Sequence, residues 1–163
     1  MVDFLVIGGV ATGMNNICEL FIQNKIWFGL SITSGFRYFE VPEDYEFYGT
    51  VCKEEEGKRY IGVSGVRWYT NISIKRPGFL KLKEYELGKY SFFDNTDIIN
   101  VDKTEDIPDY DGVMGVPLTF LDKYCPDQFE LIGYMMSGCG GYDKYRPIIN
   151  GVWKYRRILI KMK

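Results

Sequence analysis

The sequence predicts a mixed, β-rich α/β fold in one domain, 1–163, with a β-α-β unit over 1–32 and mostly antiparallel strands over 33–163. Three observations predict it. Aromatics make up 17% of the chain, with 13 Tyr and 11 Phe, and aromatic side chains suit half-buried pleated surfaces. Helical periodicity is confined to one stretch near the start and nearly vanishes after Leu30. The remainder alternates short apolar runs with turn residues, the pattern of strands and hairpins. At 163 residues the chain is long enough to bury a real core.

The first element is the apolar run FLVI at 4–7, followed by Gly8-Gly9. A strand apolar on both faces is the mark of a central, usually parallel strand. Met14, Ile17, Cys18, Phe21 and Ile22 then fall at helical spacing, with Thr12 placed as N-cap and Asn24 as the stop. KIWFGL, 25–30, reads as the returning strand, and the crossover should be right-handed if both strands share a sheet. Short strands are expected at 36–41, 46–51, 59–63, 66–72 and 90–93, with one more at 97–101. The charged KEEEGK, 53–58, reads as a solvated hairpin tip, and 80–89 as a short helix or a polar connection. The C-terminal GVWKYRRILIKMK alternates as a strand.

The densest stretch is IPDYDGVMGVPLTFLDKYCPDQFELIG, 107–133. Asp111-Gly112 supplies turn chemistry, with glycine ready for a positive φ. Thr119 can cap one short helical turn, which Cys125-Pro126-Asp127 ends. QFELIGY follows as a strand with Phe129, Leu131 and Gly133 on one face.

Composition excludes several chemistries. With no His at all, a Ser-His-Asp triad, a Cys-His pair and a His-ligated zinc site are ruled out. Cys18, Cys52, Cys125 and Cys139 form no C-x-x-C pair, and without a signal peptide they read as free thiols of a cytoplasmic protein. No apolar run approaches the roughly 20 residues that span a bilayer, so no membrane partner is expected. Net charge is −2 and the isoelectric point 5.3, so any nucleic-acid contact must come from a local patch. FLVIGGVATG misses the G-x-G-x-x-G spacing, and no acid ends the following strand, so it reads as an ordinary strand-to-helix turn. The acids between Asp94 and Asp111 lack calcium-loop spacing and read as a solvated loop.

DYDGVMGVPLTFLDKYCPDQFELIG resembles a stretch near the C-terminal end of the EcoRI-type DNA adenine-N6 methyltransferases. FLVIGG, NKIWFG, FRYFEVPEDY, RWYTNI and RPIING…RRILIKMK recur in the family's order and span nearly the whole chain. Cys125 stands where the family usually has Asn, and Gly9-Val10 replaces a more polar pair. The resemblance implies a partial class I methyltransferase-like β-α-β unit, and an intact enzyme that transfers a methyl group from S-adenosylmethionine to adenine N6 of duplex DNA in restriction-modification. It also implies a glycine-rich cofactor loop and an Asn-Pro-Pro-aromatic loop that holds the flipped base. Neither stands in this chain: Pro42, Pro77, Pro108, Pro117, Pro126 and Pro147 are all isolated. The chain thus resembles a back half, expected to bind no cofactor and to be inactive alone. Its expected partners are duplex DNA, held weakly, and a missing N-terminal half or partner subunit. A non-catalytic interaction module that dimerises or complements a partner is the alternative.

Two segments are candidates for DNA contact. In RWYTNISIKRPG, Trp68 and Tyr69 point to opposite faces of a strand, so at most one can reach a base. Asn71 offers a base edge both donor and acceptor, and Lys75 and Arg76 suit phosphate. In the second, Arg146 precedes WKYRRILIKMK, where Lys154, Arg156 and Arg157 stand among Trp153 and Tyr155 without one acid. The competing explanation for that tail is an edge strand guarded by basic side chains.

Overall fold

The run that opens the chain forms strand β1, Leu5–Gly9. The structure, a computed structural model, describes residues 2–9, 17–30, 36–47, 51–135 and 146–163. β2 is Trp27–Phe28 and β6 is Val66–Thr70; both β1 and β2 pair antiparallel with β6, giving the order β1-β6-β2. β1 and β2 therefore share a sheet and run in the same direction, but β6 lies between them, antiparallel to both, and the methyltransferase-like β-α-β unit is not confirmed. Nor is β1 a covered central strand, since Leu5 is 55% and Val6 53% exposed. An apolar run favours burial, but burial takes neighbours. Among the described residues β1 pairs with β6 alone.

Residues 17–22 are α-helical, within the expected helix, while 10–16, with the expected cap Thr12, lie outside the described residues. The helix stops where the sequence places the stop. Asn24 takes a left-handed φ of 52°, and the Lys25 N–H donates back to the Leu20 carbonyl at 2.8 Å. Phe21 meets Phe28 and Tyr69 edge-on at 5.0 and 6.0 Å, which seats the helix on one face of the sheet.

A second sheet holds β3, Phe36–Val41, β4, Cys52–Glu55, and β5, Lys58–Ser64, in the order β3-β5-β4. Its hairpin turns on Glu56 and Gly57, both at positive φ, so Lys53 to Glu55 belong to the strand and not to the charged tip. β4 begins at Cys52, after the expected 46–51. Among the described residues none of this sheet reaches the buried core.

The core is built around a four-stranded sheet of order β7-β8-β12-β9 and is continuous with Phe21, Phe28 and Tyr69 at the first sheet. β7 is Ile99–Asn100, β8 is Met114–Pro117, β9 is Phe129–Met135 and β12 is Arg157–Met162. β7 and β8 run parallel; the other pairs are antiparallel. Phe129 and Leu131 are buried as their alternation predicts. β12 overturns the guarded-edge expectation, because it sits in the middle with Ile158, Leu159 and Ile160 fully buried. Its basic residues fall at the strand ends, leaving an apolar centre for the core. Residues 90–93 supply only the Phe92–Ile99 bridge, and 80–89 form no helix, Lys83 instead bridging Pro108.

Two turn expectations also change. The 3-10 helix Leu118–Lys123 starts after Pro117, so Thr119 lies inside it and makes no cap. Proline suits a helix start because its missing N–H would have no partner there. Gly112 is not at positive φ; a Cβ there would meet the outer end of the Tyr110 ring. The remaining hairpin joins β10, Ile148–Ile149, to β11, Val152–Trp153.

At Gly115 in β8 an added Cβ would lie 2.6 Å from Phe93 Cε2, against a fully packed ring. Gly115→Ala is therefore expected to destabilise the chain by about 1–3 kcal/mol. Urea unfolding should show a lower midpoint at unchanged slope.

Candidate nucleic-acid interface

The first candidate segment follows β6. Trp68 lies on the sheet face opposite the helix, where Leu5, Leu30, Ile72 and Ile74 join it around an open apolar groove of about 460 Å³. The groove depends on Gly29, since a Cβ there would sit 2.9 Å from Trp68 Cβ. Tyr69 faces the other way and is buried. Its hydroxyl donates to the Gly9 carbonyl at 3.0 Å, and burial pushes its phenol up to about 12. Of the two adjacent aromatics, Trp68 alone has an accessible ring.

Asn71 has its carboxamide engaged by the chain itself. Its Oδ1 accepts from the Phe4 N–H at 2.9 Å, and its Nδ2 donates to the Val2 carbonyl at 3.0 Å. The Thr70 hydroxyl adds a bond to the Phe4 carbonyl at 2.6 Å. These residues fasten the segment before β1 to the end of β6. Arg76 lies 4.1 Å over the Trp27 ring, and partial burial lowers its pKa from the ordinary arginine value. Lys75 is exposed.

β6 is also tied to the core. Arg67 Nε and Nη2 donate to the two Asp122 carboxylate oxygens at 3.2 Å each, and both side chains are nearly buried. Burial raises the Asp122 pKa above the usual carboxylate value, outweighing the guanidinium that pulls it down. Such a pair fixes the sheet against the 3-10 helix more surely than it stabilises it.

The second candidate segment surrounds the β10–β11 hairpin. Asn150 and Gly151 form its turn with φ of 51° and 75°, the left-handed pair that two-residue hairpins require. The Asp94 carboxylate accepts both turn N–H groups, at 2.8 and 2.9 Å. Arg146 is exposed, with its guanidinium 5.8 Å from the Trp153 ring. Lys154 and Arg156 are exposed as well.

Arg157 differs from the rest of the basic set. It is buried, its Nε donates to Asn100 Oδ1 at 3.0 Å, and its Nη2 donates to Asp102 at 2.8 Å. Nη1 holds the Tyr155 carbonyl at 3.0 Å. Its guanidinium is thus a clamp on the chain leaving the hairpin, a different placement from the phosphate contact expected of it. The structure brings Arg146, Trp153, Lys154, Tyr155 and Arg156 into one segment. Trp68 lies in β6, and Asn71, Lys75 and Arg76 lie in the chain that follows that strand. Sequence reading missed Asp94, Asn100 and Asp102, whose partners lie more than 50 residues away.

Among the described residues no group of acids and cysteines could hold a metal ion, and no helix is long and apolar enough to cross a membrane. Among the described residues Cys18, Cys52 and Cys125 form no disulfide; Cys139 lies outside them. Among the described residues the lining of the Trp68 groove carries no carboxylate, and its Thr70 hydroxyl is engaged with the Phe4 carbonyl.

The described residues form a β-rich protein built of several mostly antiparallel sheets. The particular family follows from comparison: the family model for the adenine-specific methyltransferase EcoRI matches residues 2–163, and the chain belongs to that family. It is 42% identical to the type II methyltransferase M.EcoRI of Escherichia coli, over 98% of this chain and 50% of that protein. It is 33% identical to the type II methyltransferase M.MpnI of Mycoplasma pneumoniae, over 99% of this chain and 57% of that protein. The chain spans about half the length of the curated relatives it matches. No solved structure matches it.

The Asp102 carboxyl is held below its ordinary pKa, first by the Asn100 carboxamide and then by Arg157, against partial desolvation. A lowered folded-state value means that its contribution is present above the ordinary carboxylate pKa, about 4, and is lost as pH falls through the folded value. The thermal midpoint of the unaltered chain should therefore fall more steeply with acidification than that of Asp102→Asn. The difference is small, because the Asp102 side chain is 69% exposed.

Proposed function

We propose that this chain is the C-terminal, target-recognition-side part of an S-adenosylmethionine-dependent DNA adenine-N6 methyltransferase, acting with a polypeptide that carries the cofactor and catalytic loops. The observation that carries the reading is the state of β1. It is an apolar strand with one paired edge among the described residues, in a chain that covers half of its relatives. A strand bonded on one side, with Leu5 and Val6 more than half exposed, is built to be continued.

On this reading the chain supplies scaffold and a DNA-facing surface, and the companion supplies methyl-transfer chemistry. The cofactor belongs to the intact enzyme. The isolated chain is expected to bind none, because the family's glycine-rich cofactor loop does not stand in it. The same exposed edge also favours a second reading, a non-catalytic module that pairs with a copy of itself.

The test is reconstitution. The chain is mixed with the part of the Escherichia coli relative that it does not match, in the presence of duplex DNA and methyl-labelled S-adenosylmethionine. Label should reach DNA only in the mixture. Label transferred by the chain alone, or no transfer and no association with that part, contradicts the proposal. Self-association by sedimentation without any such partner binding supports the second reading.

A further inference from the structure

We propose that the β10–β11 hairpin and the residues just after it form a base-stacking element: Trp153 and Tyr155 pack against the faces of unstacked nucleobases, and Arg146 and Lys154 hold the flanking phosphates. The inference deepens the reading above and rests on it for the choice of DNA as partner.

Exposure comes first. Trp153 is 61% and Tyr155 88% exposed, two residues apart in the chain. One apolar side chain in water is ordinary, but two large aromatics on one short segment mark an interaction surface.

Rigidity comes second. Asp94 pins the turn through two N–H groups, and its own N–H donates to the Ile148 carbonyl at 2.8 Å. The Lys154 N–H donates to the Pro147 carbonyl at 2.7 Å, and the buried Arg157 holds the Tyr155 carbonyl. The backbone on both sides of Tyr155 is fixed while its ring projects into solvent. A fixed mount lowers the ordering cost when a ring engages a partner.

Charge and shape agree. Residues 152–163 carry five Lys and Arg and no acid, within a chain of net charge −2. Beside Tyr155 an open groove of about 500 Å³ runs past Leu118, Thr119 and Asp102, with room for a planar base. Every base has a π face, so stacking is sequence-tolerant and needs only that the base be out of its helix.

The experiment uses the full chain and two fluorescein-labelled duplexes, one fully paired and one with a single unpaired base, followed by anisotropy over a salt series. The unaltered chain should bind the duplex with the unpaired base more tightly. Trp153→Ala and Tyr155→Ala should each weaken that binding about tenfold, erase the preference and leave the salt slope unchanged. Tyr155→Phe should retain the preference, and Lys154→Ala should lower the salt slope by about one. Equal binding by both alanine variants, with far-ultraviolet circular dichroism unchanged, overturns the stacking role and leaves the DNA-side reading standing. Absence of DNA binding by the unaltered chain also overturns it, and reconstitution then judges that reading separately.

Discussion

Strand β6 carries the constraint on which the first half of the molecule depends. It supplies the backbone partners of both β1 and β2, and through Arg67 and Asp122 it is locked to the 3-10 helix beside the core. One face of this sheet is closed by the Phe21, Phe28 and Tyr69 rings. The other face holds the Trp68 groove, and β1 stands at the margin with apolar side chains in water. Each Å² of such surface costs about 25 cal/mol relative to burial, so a companion that covers it gains at once. The proposed division of labour follows from that gain.

The second half is organised around β12. Its centre is buried between β8 and β9, and its first residue, Arg157, reaches back to Asn100 and Asp102. A buried guanidinium must be fully bonded to be tolerated, and this one uses backbone carbonyls to complete its set. The same bonds hold the hairpin exit in place. Core packing and surface presentation are thus one structure, with Arg157 as the joint.

Much of the fold was legible because it depends on local pattern. The β3 and β5 strands, the β9 alternation and the Asn24 stop all follow from residues near one another in sequence. What could not be read depends on distant pairing. β6 inserts between β1 and β2 from some 40 residues away, and the tail takes a central place because β8 and β9 flank it. Composition made β1 a buried strand, and its sequence does ask for burial; the described residues supply only half of what it asks. In the candidate interface, Arg146, Trp153, Lys154 and Arg156 were legible as a basic aromatic segment. The roles of Arg157 and Asn71 were not, since Asp102, Asn100 and the backbone before β1 claim them through folding.

The most direct measurement is amide hydrogen exchange along β1. In the isolated chain, β1 amides that face away from β6 should exchange as fast as exposed loop amides. They should become protected when the companion part of the enzyme is added. Full protection of every β1 amide in the isolated monomer, or no change on adding that companion, would contradict the account.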